Sequence, residues 1–221
     1  AFHHVFGFKK KMKYLNLLVI PVLFLAMSCT VSRLQKKGTV KPDIFSSSFT
    51  FETHKGVIGF DIDISGEKSR FLFDTGADLT LVQRDSIHGR TAKYMGASKR
   101  KMELGRTLLD TLTIHDIHFE HTYALVGDMV GLKEQIPNFG GLLGQNVINK
   151  ANWLIDYPQG RIQVSSQNLA DETFTEIKIR RQNGGNPYTF LEMDGRRYKV
   201  VIDLGSTSNI NLPVDSKFGK A

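Results

Sequence analysis

Apolar and polar residues alternate with a period of two over much of this chain, a pattern that is typical of β-strands. The alternation is clearest across residues 49–64 and 112–126. A continuous apolar run at residues 71–73 is typical of a buried strand. Because no long amphipathic helical pattern competes with these segments, we expect an all-β protein, with short helical turns only at residues 145–150 and around Asp85.

One stretch of the chain recurs in altered form. The first copy is FLFDTGADLTLV, Phe71–Val82, and the second is YKVVIDLGSTSNINL, Tyr198–Leu212. The offset is 129 positions (203 − 74), and two pairs of glycines keep it: Gly66 with Gly195, and Gly76 with Gly205. Spacing that is kept at so many positions predicts one structural unit used twice.

Each copy places an aspartate at the end of an apolar run and two residues before a glycine. These aspartates are Asp74 and Asp203. Because glycine lacks a Cβ, the backbone can approach closely or adopt a positive φ there, and a short turn then holds the carboxylate in place. An Asp-x-Gly turn by itself is more often structural. The flanking strands and the repeat favour a functional pair of carboxylates.

The sequence resembles the retropepsin-like and pepsin-like aspartic proteases at two motifs. One motif is the apolar run that ends in Asp74, Thr75, Gly76 and Ala77, and the other is a supporting strand with Leu142, Leu143 and Gly144. Residues 52–64 look like the first strands of that family, and residues 138–164 look like its closing segment. The resemblance implies an all-β, retropepsin-like closed β-barrel lobe at residues 49–168.

The resemblance also implies the N-terminal part of a second, truncated lobe at residues 169–221, because only a short stretch follows Asp203. The implied chemistry is hydrolysis of peptide bonds by a water held between Asp74 and Asp203, with no cofactor and no metal. One aspartate would be protonated and the other ionised, since like charges that close cannot both ionise. The second active-site loop would consist of Leu204, Gly205 and Ser206. Leu204 stands where the family has a Thr whose hydroxyl ties the two loops together, and its side chain cannot make those bonds.

Two alternatives to this two-lobed peptidase stay open. Leu204 favours a peptide-binding module of the same fold that does not cleave. A homodimer could instead pair Asp74 with its own copy across a two-fold axis. The expected partner is an extended peptide or protein, held by strand-like hydrogen bonds under a hairpin flap at Tyr94–Gly105. An ordinary surface loop is the competing interpretation of that segment.

The first 48 residues are expected to serve export and attachment. Residues 1–28 contain an export signal whose expected start is Met12, and its apolar run of about 13 residues is too short to span a bilayer. The end of this run resembles a bacterial lipobox, which implies a lipid on Cys29 and residues 29–48 as a lipidated tether. The chain would then be an exported lipoprotein of the cell envelope, facing the periplasm or in the outer membrane. An ordinary cleaved signal is the competing interpretation.

The net charge of +7 does not make nucleic acid an expected partner. Residues 1–41 hold eight Lys or Arg and no acidic residue, so the remainder carries 21 basic residues (29 − 8) and 22 acidic ones. The positive charge belongs to the export segment and the tether, where it would lie against an anionic membrane surface. His115, His118 and His121 are close in sequence. No metal site is expected, because His115 and His118 would point to opposite faces of a strand unless a turn intervenes at Asp116.

Overall fold

The computed structural model describes residues 33–95, 101–181 and 186–207, and these residues lie mostly in β-strands. The predicted all-β class is confirmed. The strands are β1 Thr39–Lys41, β2 Ser46–Thr50, β3 Glu52–His54, β4 Val57–Ile64, β5 Glu67–Phe73, β6 Thr80–Gln83, β7 Thr91–Met95, β8 Lys101–Ile114, β9 Ile117–Gly127, β10 Phe139–Leu143, β11 Asn152–Asp156, β12 Arg161–Ser165, β13 Arg180–Arg181, β14 Pro187–Met193 and β15 Arg196–Val201. Residues 33–36 are helical, and two further short helices are α1, Val130–Lys133, and α2, Gln145–Ile148.

Six of the strands pair into a closed ring in the order β9, β6, β10, β5, β4, β8 and back to β9. Strand β4 alternates buried and half-buried side chains in its second half, as the period-two pattern predicts, and β5 ends in the continuous buried run Phe71–Phe73. Phe71, Ile58 and Ile62 are each fully buried there. Strands β11, β12 and β2 form a second, antiparallel sheet beside this core. We refer to β1–β12 with α1 and α2 as the main unit.

A separate three-stranded sheet, β13–β14–β15, follows the main unit, and we call it the second unit. Its hairpin β14–β15 repeats the hairpin β4–β5 in the same register. Gly59 pairs with Leu72 in the first hairpin, and Tyr188 pairs with Val201 in the second, 129 positions later. Both turns use left-handed backbone at matching places, with positive φ at Ser65 and Gly66 and at Asp194 and Gly195. The sequence repeat is therefore a repeat of local structure.

The structure differs from the predicted tether at residues 29–48. Strand β1 pairs with β9, and β2 pairs with β12, so two strands of the main unit begin before residue 49. The period-two pattern missed these strands because β1 has only three residues and Ser46–Ser48 contain no apolar residue to alternate with polar ones. A helical turn was also expected near Asp85, but the backbone only bends there. The expected turn at residues 145–150 is confirmed as α2.

Of the predicted flap segment, residues 94–95 end β7 and residues 101–105 begin β8, and these two strands pair as the antiparallel hairpin β7–β8. Residues 96–100 lie outside the described residues. The export signal and Cys29 also lie outside them. Within residues 33–95, 101–181 and 186–207, no helix is both long enough and apolar enough to cross a bilayer.

Candidate functional site

The first loop of the repeat begins where β5 ends, and the predicted supporting strand holds it. Strand β10 runs parallel to β5, with Leu142 beside Leu72 and Leu143 beside Phe73. The backbone N–H of Asp74 donates to the carbonyl oxygen of Leu143 at 3.0 Å, which continues the ladder by one residue. Gly144 follows directly and packs against the backbone at residues 79–80, where a Cβ would not fit. The Leu-Leu-Gly element therefore lies where the resemblance placed it.

Both aspartates sit in the same kind of turn. In the first loop, the N–H groups of Gly76 and Ala77 donate to Oδ1 of Asp74 at 2.7 and 3.1 Å. In the second loop, the N–H of Gly205 donates to Oδ1 of Asp203 at 3.0 Å. These backbone donors fix the carboxylates relative to their own loops.

The two loops meet face to face, and each glycine leaves room for the carboxylate of the other loop. A Cβ on Gly76 would lie 2.8 Å from the carboxyl carbon of Asp203. A Cβ on Gly205 would overlap the carboxyl group of Asp74. Neither glycine has a positive φ, so close approach is the reason for both. The structure thus brings together the two aspartates that the repeat singled out.

Asp74 is held in an environment that opposes its ionisation. Burial, followed by the nearby charge of Asp203, raises the pKa of Asp74 from 3.8 to about 6, although the N–H groups of Gly76 and Ala77 act in the opposite direction. A side-chain hydrogen bond with Asp203 is a smaller cause that contributes to the same rise in the pKa of Asp74. Asp74 therefore carries its proton below about pH 6 and loses it as the pH rises towards neutral.

This titration predicts how stability changes with pH. Between about pH 4 and pH 6, Asp74 is protonated in the folded chain and ionised in the unfolded chain. The free energy of unfolding therefore falls as pH rises through about 6. The expected loss is about 3 kcal/mol. We expect Asp74→Asn to remove this loss, so that the variant is more stable than wild type at about pH 7 and not at about pH 4. Urea unfolding followed by Trp153 emission measures the difference. Asp110→Asn, at an exposed position, should keep the wild-type slope, and an identical slope in Asp74→Asn would contradict the prediction.

A single hydroxyl ties the two loops together. Oγ1 of Thr75 donates to the carbonyl oxygen of Ile202 at 2.9 Å and accepts from the N–H of Leu204 at 2.9 Å. The side chain of Leu204 has no hydroxyl to return these bonds, as expected from the sequence, and it packs against the main apolar core. Its backbone does take part, however. The side-chain hydroxyl of this tie comes from Thr75, which is 9% exposed. Ser206, also in the second loop, donates its N–H to the carbonyl oxygen of Asp203 at 3.3 Å.

Gln145 is a site residue that the sequence analysis missed. Its side chain is 1% exposed, and its Nε2 donates to the carbonyl oxygen of Thr75 at 2.7 Å. Its backbone N–H donates to the carbonyl oxygen of Ala77 at 2.8 Å. Its Oε1 accepts from Nη1 of Arg181, in the second unit, at 2.6 Å. The available signal was a polar residue placed directly after the Leu-Leu-Gly element.

The chain before β1 also reaches the first loop. Nε2 of Gln35 donates to the carbonyl oxygen of Asp78 at 3.1 Å and to its Oδ1 at 3.3 Å. Leu34 packs against the smaller of two apolar clusters, which also receives Ala77 and Tyr94. Burial raises the pKa of Asp78. This contact is a second departure from the predicted tether, since residues 34–35 are bound to the main unit.

The histidines and the surface cavity lie apart from the aspartates. A turn at residues 115–116 separates β8 from β9, so His115 and His118 do not lie on one continuous strand. His115 stacks on Phe49 with ring centroids 4.6 Å apart, and Nδ1 of His118 bonds with Thr113. No group of three or more potential metal ligands occurs among the described parts of the chain. A cavity of about 760 Å³ opens near Phe49 and Arg70, and neither Asp74 nor Asp203 lines it.

Comparison with known proteins gives a limited result. No protein-family model matches the chain, and no curated protein matches it. Among solved structures, the chain is similar to the crystal structure of a retropepsin-like aspartic protease from Rickettsia conorii, with 15% sequence identity and a TM-score of 0.42. The match covers 58% of this chain and 95% of that chain. The assignment of this protein to the all-β class rests on its own strand pairing.

Proposed function

We propose that this protein is an aspartic endopeptidase that hydrolyses peptide bonds with a water activated between Asp74 and Asp203. The observation that carries the proposal is the crossed approach of the two loops, in which each carboxylate fills the space left by the glycine of the other loop. The raised pKa of Asp74, about 6, adds support. Perturbed carboxyl pairs of this kind are suited to acid–base chemistry.

In the proposed reaction the ionised carboxylate of the pair removes a proton from the water, and the water oxygen attacks the carbonyl carbon of the peptide bond. The protonated carboxyl group donates a hydrogen bond to the carbonyl oxygen, which carries the developing negative charge. A proton then passes to the leaving nitrogen, and the C–N bond breaks. The two carboxyl groups share the proton, so the roles of acid and base are not assigned to either residue.

The proposed substrate is an extended peptide or protein segment. The hairpin β7–β8 supports this, because Tyr94 and Met102 from its two strands pack against the same apolar cluster as Ala77 in the first loop. An extended segment between this hairpin and the loops would find backbone groups for strand-like hydrogen bonds. The remaining parts of the proposal rest on the sequence pattern alone: a lipid on Cys29, attachment to a membrane, and a position outside the cytoplasm.

A peptide-binding module that does not cleave is the second candidate. The observation that favours it is Leu204, whose side chain packs against the apolar core and has no hydroxyl to return a hydrogen bond to Thr75. The homodimer that would use Asp74 alone has less support, because Asp203 of the same chain already lies beside Asp74.

Cleavage of a mixed peptide library between about pH 3 and pH 8 tests the proposal. We expect cleavage to be fastest on the acid side of about pH 6 and to fall as pH rises, because the shared proton is then lost. Inhibitors of serine and metal-dependent peptidases serve as controls and should leave the rate unchanged. If the wild-type protein retains bound peptides without cutting any of them, the binding module replaces the peptidase.

A further inference from the structure

Gln145 and Arg181 complete a circuit of hydrogen bonds that passes through both aspartate loops. Oγ1 of Thr75 donates to the carbonyl oxygen of Ile202, and the N–H of Ile202 donates to the carbonyl oxygen of Pro187 at 2.9 Å. Pro187 pairs with Arg181 between β14 and β13. Arg181 then donates to Gln145, which donates back to the carbonyl oxygen of Thr75. This circuit therefore holds both the carbonyl oxygen and the side-chain hydroxyl of Thr75.

The burial of Gln145 makes the contact from Arg181 significant. Gln145 is 1% exposed, so its Oε1 would lose its partner in a buried place if Arg181 were removed. A hydrogen bond from a guanidinium is also stronger than one between neutral groups. Nε2 of the same side-chain amide donates to the carbonyl oxygen of Thr75. Movement of Gln145 therefore displaces the carbonyl group of Thr75, the residue after Asp74.

Gln145 holds the first loop at two points on either side of Gly76. Its Nε2 binds the carbonyl oxygen of Thr75, and its backbone N–H binds the carbonyl oxygen of Ala77. The amides of Gly76 and Ala77 are the groups that donate to Asp74. The orientation of those donors therefore depends on Gln145.

We propose that Gln145 and Arg181 are positioning residues, through which docking of the second unit fixes the carboxylate of Asp74. This inference rests on the proposed peptidase function, and it adds that the geometry of the first loop depends on a residue outside the repeated motif. The main unit without this contact would carry Asp74 on a loop with weaker support. Positioning of this kind acts on the reaction rate more than on substrate binding.

Arg181→Gln tests the inference, with Arg180→Gln as its matched control. Arg180 is the neighbouring residue of the same strand, and its guanidinium lies 5.4 Å from the ring centroid of Phe190 instead of reaching Gln145. We expect Arg181→Gln to lower kcat roughly tenfold with little change in KM, and Arg180→Gln to leave both unchanged. Arg181→Lys keeps a cation in place and should recover part of the rate. Equal kcat values for Arg181→Gln and Arg180→Gln would overturn the inference.

Hydrogen exchange at the amides of Gly76 and Ala77 supplies a readout that needs no activity. We expect these amides to exchange several times faster in Arg181→Gln than in Arg180→Gln, because the loop opens more often. Emission from Trp153, which packs on Phe73 inside the main unit, should be the same in both variants and shows that the core is intact. If wild type does not cleave peptides but exchange still separates the two variants, the peptidase proposal fails while the positioning role stands. Equal hydrogen-exchange rates in the two variants would contradict the positioning role, whether or not the protein cleaves peptides.

Discussion

Asp74→Asn and Asp203→Asn should each abolish peptide cleavage, with rates at least ~10³-fold below wild type. An amide cannot take the proton from the attacking water, and it cannot share one proton with the opposite carboxylate. Asn keeps the shape of Asp, and in Asp74→Asn its oxygen can still accept from the N–H groups of Gly76 and Ala77. The loss should therefore be chemical, with the loops still folded.

The comparison between these two variants decides how the site is assembled. Rates of library cleavage at about pH 5 are measured for both variants, with Asp110→Asn as a control at an exposed position of β8. Loss of activity in both variants, with full activity in the control, fits one site within one chain. Full activity in Asp203→Asn together with loss in Asp74→Asn would contradict that arrangement and favour a homodimer that pairs two copies of Asp74. Sedimentation of wild type and variants identifies such a dimer directly.

Gly205→Ala is expected to reduce cleavage by about two orders of magnitude. A methyl group at residue 205 would overlap the carboxyl group of Asp74, so either the loops separate or Asp74 turns away. A displacement of about 1 Å at the reacting groups is enough for an effect of this size. Gly76→Ala should act in the same direction, because its Cβ would lie 2.8 Å from the carboxyl carbon of Asp203.

Gly56→Ala provides the control for this prediction. Gly56 has a φ of 86° and no atom within 4 Å of an added Cβ, so the substitution strains the backbone without touching the site. It should lower the free energy of unfolding by about 1–2 kcal/mol and leave kcat unchanged. Kinetics and urea unfolding are measured on all three glycine variants. If Gly205→Ala retained wild-type kcat, the close approach of the loops would not be needed for activity.

The hairpins and the placement of the aspartates follow from local patterns in the sequence. Period-two alternation predicted β4, the end of β8 and most of β9, where alternate side chains are buried. The repeat at a constant offset predicted one structural unit used twice, and the turns at Gly66 and Gly195 need the left-handed backbone that glycine adopts easily. Asp74 and Asp203 could be paired for the same reason, since equivalent positions of a repeated unit take equivalent places.

Contacts between distant segments could not be predicted in this way. Strand β1 has three residues and becomes a strand only by pairing with β9. The side chain of Gln145 carries no sign of its partners, which come from Thr75 and from Arg181, 70 and 36 positions away. The sequence shows that the side chain of Leu204 has no hydroxyl, but it does not show that the backbone N–H of Leu204 donates to Thr75.

The sequence by itself determined the strands whose side chains alternate most clearly, which two turns carry a carboxylate, and that the turns are copies of one unit. These features depend on side-chain alternation and on glycine, whose effects reach only a few residues along the chain. The tertiary structure alone decided that the loops meet with each glycine against the opposite aspartate, and that Thr75, Gln145 and Arg181 hold them there. Backbone N–H and carbonyl groups make most of these bonds, and because every residue except proline carries both, only the folded chain selects which ones meet.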